Sequence, residues 1–251
     1  MLKPEDFFDL TDFDCADIFD GCEFVWDALK KISVYLLHKN MSFSSKEQRI
    51  KGVVMRGAVI EDDDTVHIGE GTVVEPGAFI RGPVWIGKNC KIRHGAYLRE
   101  DVIVGDNCVV GHGCELKNVI MLPTAQCPHL AYVGDSILGR HTNLGAGTIV
   151  SNLQLYSEKD PDTGKRPPII LTADNEIYDT DLAKFGAIVG DGAQTGCNTT
   201  LNPGCLMGKN TVVYPNVSLP KGYYPEGKVI KHKTVLDIVD KHDIEKDSEE
   251  D

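Results

Sequence analysis

The chain has 251 residues, with 26 Lys+Arg against 38 Asp+Glu, a formal net charge of −12 and 41% hydrophobic residues. That length buries a sizeable core in one large domain or two small ones, and the acidic balance excludes a sequence-independent nucleic-acid binder, which needs positive charge to release counterions. No stretch approaches the ~20 apolar residues of a membrane-spanning helix, and 25 Gly with only 7% aromatics point to a repetitive β architecture with small side chains inside.

The chain opens on MLKPEDFFDL, an acidic start without the basic region of a secretory signal, so a cytoplasmic location is expected. Residues 1–22 and 237–251 each carry a net −6, and residues 23–236 are neutral. The acidic C-terminal run reads as a solvated tail. Residues 15–38 are expected to form a helix with Phe24, Leu29, Ile32 and Leu36 on one face. Such a helix would cap the open first unit of the repeat that follows.

From Ile68 an aliphatic residue recurs every six positions: Ile68, Val74, Ile80, Ile86, Ile92, Leu98, Val104, Val110, Leu116, Leu122. A small or β-branched residue follows each by four, among them Thr72, Ala78, Cys90, Ala96, Cys108 and Cys114, and a second register runs Val189, Thr195, Leu201, Met207, Val213, Leu219. Neither a helix of period 3.6 nor a strand of period 2 produces this spacing. The pattern resembles the hexapeptide repeat of left-handed parallel β-helix acyltransferases, in which three hexads make one triangular coil of about 18 residues. Cys90, Cys108, Cys114 and Cys205 then fall on inward small positions. Cys15, Cys22, Cys127 and Cys197 show no CxxC or CxxH spacing, so all eight read as reduced thiols and no metal is expected. The reading divides the chain into an acidic N-terminus with its capping helix (1–52), the β-helix (53–222) and a C-terminal extension (223–251). Residues 153–183, with DPDTGKRPP, break the rhythm as a projecting insertion.

Stacking places candidate site residues. Equivalent positions one coil apart lie above one another at about 4.8 Å. Arg81, Arg99 and Lys117, each 18 residues apart, therefore form an outward column of cations. One reading is an anion site, best suited to phosphate; the other is a surface ladder relieved by Glu100 and Glu115. The hexads fail at Pro128-His129, one coil beyond Lys117, where His129 suits a general base. His94 and His112 stack in the same way and read as surface or interface residues.

At CELKN and PHLAYVGDSILGRHTNLGAGTIVSN the sequence is similar to the acetyltransferase domain of the bifunctional N-acetylglucosamine-1-phosphate uridyltransferase/glucosamine-1-phosphate acetyltransferase family. At TGCNTTLNPG and AKFGAIVGDG it resembles the archaeal-type sugar nucleotidyltransferases that share this domain, and the resemblance spans roughly residues 53–220. It implies a homotrimer that takes acetyl-CoA as co-substrate and a sugar phosphate as acceptor. Of the site residues, it implies His129 as general base and Asn152 beside the amine. Arg99 and Lys117 would hold the phosphate, with Lys184 reaching it from a neighbouring subunit. Tyr132 and Asn143 would contact the sugar, and the backbone of Ala146 would line the thioester. Cys197 and Pro215 stand at coenzyme positions where the bacterial enzyme has serine and alanine. Residues 1–51 contain one glycine, Gly21, and nothing like the family's Gly-rich nucleotide loop.

Three functions fit these features. The first is acetyl transfer from acetyl-CoA to the amine of glucosamine 1-phosphate. The second is transfer to a nucleotide-linked amino sugar, motivated by the insertion. The third is a non-catalytic β-helix that binds a sugar phosphate or acts as a regulatory subunit. A zinc hydratase on the same fold is rejected, because none of the eight histidines form a pair five apart.

Overall fold

The computed structural model describes residues 2–233, in which the hexads wind a triangular prism whose three faces are parallel sheets. The first face is a nine-stranded sheet from Val53–Val54 to Val229–Ile230. The second and third faces form one 14-stranded sheet, because Glu115–Met121 and Tyr132–Leu138 each pass round the shared corner unbroken. A period of six suits this shape: two or three residues pair as a strand and the rest turn. Each turn needs left-handed backbone, which Asn and Asp reach at low cost. Asn89, Asn107 and Asn210 fill one such corner, at φ 55, 59 and 57.

Both hexad registers point inward, and the prism is filled by Ile68, Val74, Ile80, Ile86, Ile92, Leu98 and their successors, with Cys90, Cys108, Cys114 and Cys205 among them. All eight cysteines are free. Leu122 is the exception. The third-face strands step 18 residues from Trp85 to Ile103 but 17 from Ile103 to Ile120, so Met121 takes the inward place and Leu122 packs outside. The β-helix also continues beyond residue 222, through Gly222–Tyr224 and Val229–Ile230. The acidic run 237–251 lies outside the described residues.

The N-terminal segment departs most from expectation. Residues 15–38 are not one helix but two short 3-10 turns, Ala16–Phe19 and Val25–Lys30, followed by the helix Ile32–Met41. They do not cap the first coil, where Val53, Val54, Met55 and Val59 remain exposed. They lie along the third face instead. The reason is an outward apolar column, His67, Trp85, Ile103, Ile120, Ile137, Ile188, Leu206 and Tyr223, in register across eight coils. Phe7, Ile18, Trp26, Leu29, Ile32 and Leu36 cover it. Each large apolar side chain so buried contributes roughly 1.5–3 kcal/mol. Corner cations and polar groups fasten the acidic strap. Lys209 Nζ donates to Glu5 O at 3.0 Å, the Asp9 N–H donates to Asp191 Oδ2 at 2.6 Å, and Lys88 lies 3.8 Å from Asp14.

The insertion is likewise only partly projecting. Ile170–Ala173 and Glu176–Asp179 form an antiparallel hairpin that folds back, with Leu171 and Ala173 buried among the strap residues. The outlying part is the stretch before it, where Leu155 and Tyr156 are exposed.

His67 begins the outer column, stacked at 3.7 Å on Trp85 and 5.2 Å on Phe43, with Nδ1 buried and unpartnered. Burial, reinforced by Lys51, holds its imidazole down at about 4. Between about pH 6.5 and pH 4 the unfolded chain takes up a proton that the folded one refuses. Its contribution to stability is therefore complete above about pH 6.5 and lost as pH falls, by roughly 3 kcal/mol in all. His67→Phe keeps the stack and removes the titration. Urea unfolding at about pH 7 and about pH 4.5 should show a smaller acid loss in the variant than in the wild type. Equal losses would assign the acid sensitivity to other groups.

Candidate active site

The predicted residues gather on the second face and around its corner with the first. On the second face the registers Phe79–Tyr97, Tyr97–Glu115 and Glu115–Tyr132 stack Arg81, Arg99 and Lys117, with Lys117 opposite Gly134. Acids relieve two of the three cations. Arg81 Nε lies 3.0 Å from Glu61, and Arg99 lies 3.0 Å from Glu115 and 3.8 Å from Glu100. Among the described residues no carboxylate comes within 4.0 Å of the Lys117 amine, so of the three cations Lys117 is the one without a direct ion pair.

One coil on, the position above Lys117 is Gly134. A Cβ there would lie 2.6 Å from both the Tyr132 hydroxyl and Asn152 Nδ2, so these two groups converge on the space the glycine leaves. Burial, together with the nearby charges of Asp135 and Glu115, raises the Tyr132 hydroxyl above its ordinary range, leaving it a donor at neutral pH. Asn152 Nδ2 donates to Asp135 Oδ2 at 2.5 Å, and the Asn118 amide donates to Asp135 Oδ1 at 2.9 Å. Lys184 is exposed in the turn before Phe185, whose N–H donates to the Asn152 carbonyl at 2.9 Å. The turn carrying Lys184 is thereby tied to this cluster.

His129 ends the strand Gln126–His129 at the corner of the first and second faces, in register with His112. The rings of His94 and His112 stack below it at 5.6 Å. Above it the same corner position passes to Ala146, Cys197 and Pro215. The ladder is Gly147 N–H to His129 O at 3.3 Å, Asn198 N–H to Ala146 O at 2.8 Å and Asn216 N–H to Cys197 O at 2.9 Å. Ala146 is half-buried, and His129, Cys197 and Pro215 are exposed. Asn143 points outward from the first face between Gln126 and Gln194, across the corner from Tyr132.

Glu115 pairs with Arg99, as the surface-ladder reading expects. Two features here escaped sequence reasoning. Asp135 is the buried acceptor of two amides. Leu130 stands beside His129 at φ 51, while the equivalent corners carry Gly77, Gly95, Gly113 and Gly147 and, further on, Asn198 and Asn216. A branched residue in this region costs on the order of 1–3 kcal/mol, strain that gathers at functional sites. The only sequence signal was a leucine in a column otherwise filled by Gly and Asn, the residues that reach left-handed backbone at low cost.

The family model for the GMPPB C-terminal domain matches residues 80–174. The bifunctional protein GlmU of Methanococcus aeolicus is 30% identical over 211 residues, covering 84% of this chain and 47% of that protein. The bifunctional sugar-1-phosphate nucleotidylyltransferase/acetyltransferase of Sulfurisphaera tokodaii is 31% identical over 99 residues, covering 40% of this chain and 22% of that protein. Among solved structures, the acetyltransferase domain of PglB from Neisseria gonorrhoeae is 14% identical with a TM-score of 0.28, over 81% of this chain and 70% of that chain. The chain thus spans at most about half the length of these curated relatives. It is a β-helical homologue of GlmU and of the sugar-1-phosphate nucleotidylyltransferase/acetyltransferases.

Proposed function

We propose that the chain transfers acetyl from acetyl-CoA to the amine of an amino-sugar 1-phosphate, glucosamine 1-phosphate foremost, and works as a homotrimer. The observation that carries this reading is one of juxtaposition. A free cation at Lys117, a pair of polar groups at Tyr132 and Asn152, and an exposed imidazole at His129 follow one another over adjacent coils. The naming of a relative as a sugar-1-phosphate nucleotidylyltransferase/acetyltransferase supports it.

In this reading Lys117 and Arg99 hold the phosphate, aided by Lys184 of a neighbouring copy, while Tyr132 and Asn143 contact the sugar. The coenzyme runs along the corner column Ala146, Cys197 and Pro215. The amine nitrogen attacks the thioester carbonyl. An N–C bond forms, the C–S bond breaks, the proton passes to His129 Nε2 or Nδ1, and coenzyme A leaves as the thiol or thiolate. A backbone N–H near Ala146 is suited to the oxyanion, and fixing both substrates supplies proximity. A coenzyme A release assay with glucosamine 1-phosphate tests the reading. Release with no amino-sugar phosphate or nucleotide sugar would favour a non-catalytic sugar-phosphate binder.

Lys117→Ala is expected to raise the KM for the sugar phosphate about tenfold or more, as loss of a charged hydrogen bond does. The KM for acetyl-CoA should hold. An unchanged KM for the sugar phosphate would remove the phosphate from this column.

A second reading rests on a cavity of about 540 Å³ further along the same face, lined by Ile149, Leu153, Leu155, Asn202, Pro220 and Lys221. It offers room for a larger group on the acceptor, such as a nucleotide. A higher kcat/KM for a nucleotide-linked amino sugar in the same assay would select this reading.

A further inference from the structure

Asp135 has no role in the chemistry above, yet its side chain is an expensive one to place. The residue is 5% exposed, and no Lys or Arg pairs with it within 4.0 Å among the described residues. A carboxylate buried without a cation is costly unless hydrogen bonds compensate it. The corner does not demand it: Asn118, one coil earlier, fills the same left-handed turn with a neutral amide, at φ 52 against 47 for Asp135. The charge therefore serves something other than the turn.

Its effect is on the flip of an amide. An ionised carboxylate only accepts hydrogen bonds, so whichever end of Asn152 faces it must be the donor end. Asn152 Nδ2 accordingly points at Asp135 Oδ2, at 2.5 Å, and faces the same space above Gly134 as the Tyr132 hydroxyl. The amide is planar, so Oδ1 is turned the other way, and no donor among the described residues claims it. Asn118 holds the second oxygen of Asp135 and prevents the carboxylate from rotating away.

We infer that Asp135 is a positioning residue that locks Asn152 in the orientation presenting a hydrogen-bond acceptor to the substrate amine. This rests on the amino-sugar reading and deepens it. An ammonium group has only donors and needs that acceptor, whereas a sugar hydroxyl is served by either flip. The lock is thus a device for telling an amino sugar from its hydroxyl analogue.

The test compares binding of glucosamine 1-phosphate and glucose 1-phosphate, by calorimetry, to the full-length wild type, Asp135→Asn, and the swapped pair Asp135→Asn/Asn152→Asp. Asp135→Asn should weaken glucosamine 1-phosphate about tenfold or more and leave glucose 1-phosphate within about twofold. The swap should restore the preference, because an amide at 135 can still accept from Asn118 while donating to a carboxylate at 152. Equal weakening for both sugars, unrescued by the swap, would make Asp135 merely structural, and no change would deny it any role. A second measurement needs no ligand: the Asn152 side-chain protons, followed by ¹⁵N NMR, should exchange slowly in the wild type and fast in Asp135→Asn. Fast exchange in both would overturn the lock. A wild type that binds neither sugar while its Asn152 protons stay protected would instead fail the amino-sugar reading and leave the lock standing as a fact of the structure.

Discussion

His129→Ala is expected to lower kcat with glucosamine 1-phosphate by about 10²–10⁴-fold, the usual contribution of a positioned general base. The trimer, the far-UV circular dichroism and the Tm should stay as they are. The imidazole is exposed, and its backbone keeps both ladder contacts, to His112 below and to the Gly147 N–H above, whatever the side chain. Neither substrate's KM should move much, because phosphate, sugar and coenzyme are held by other residues in this mechanism. Added imidazole should recover part of the lost rate by entering the space the side chain leaves. Equal turnover in variant and wild type would take the proton away from His129 and reopen the choice of base.

The interior of the fold was legible because the hexad repeat writes one inward residue per strand, and that spacing survives any choice of surface. Leu122 shows where the rule stops. When a coil loses one residue at its corner, every later position shifts by one, and the sequence registers only an aliphatic pair, Met121-Leu122, without saying which member turns in. The outer column was written in the sequence too, as the middle residue of VHI, VWI, VIV and VIM. Its period is a whole coil rather than a hexad, so it hides beneath the stronger repeat. The strap was misplaced for the same reason. Residues such as Trp26 and Ile32 declare an apolar face, but only the outer column says which surface receives it.

The site followed a similar division. Stacking by 18 residues correctly put Arg81, Arg99 and Lys117 in one column, since register in a parallel coil is a matter of counting. The relief of Arg99 by Glu115 was within that counting, whereas the lack of a direct ion pair at Lys117 depends on side-chain reach. Asp135 was invisible because an aspartate at a left-handed corner needs no explanation beyond the turn. Its burial and its two amide donors emerge only when Asn118 and Asn152, 17 residues to either side, are stacked around it.

Trp26→Ala should be the most destabilising single change outside the prism interior, at about 3–5 kcal/mol. The indole is 0% exposed and joins three separate parts of the chain. It stacks on Phe24 of the strap at 4.8 Å, meets Tyr178 of the insertion hairpin at 6.2 Å, and meets Phe185 at 6.0 Å. Phe185 in turn carries the N–H that holds the Asn152 carbonyl and follows Lys184 directly. The cavity left by the indole therefore reaches the site through its support. Urea unfolding should show the full loss of stability, with Leu155→Ala, at a residue 96% exposed, as a control that shifts by no more than about 0.5 kcal/mol. Under conditions where Trp26→Ala is still folded, the KM for the sugar phosphate should rise while the KM for acetyl-CoA holds, because the corner column lies between the first and second faces and the strap covers the third. A loss below about 1 kcal/mol would mean that the strap rests on the third face without being held there, and an unchanged KM would separate the strap from the site.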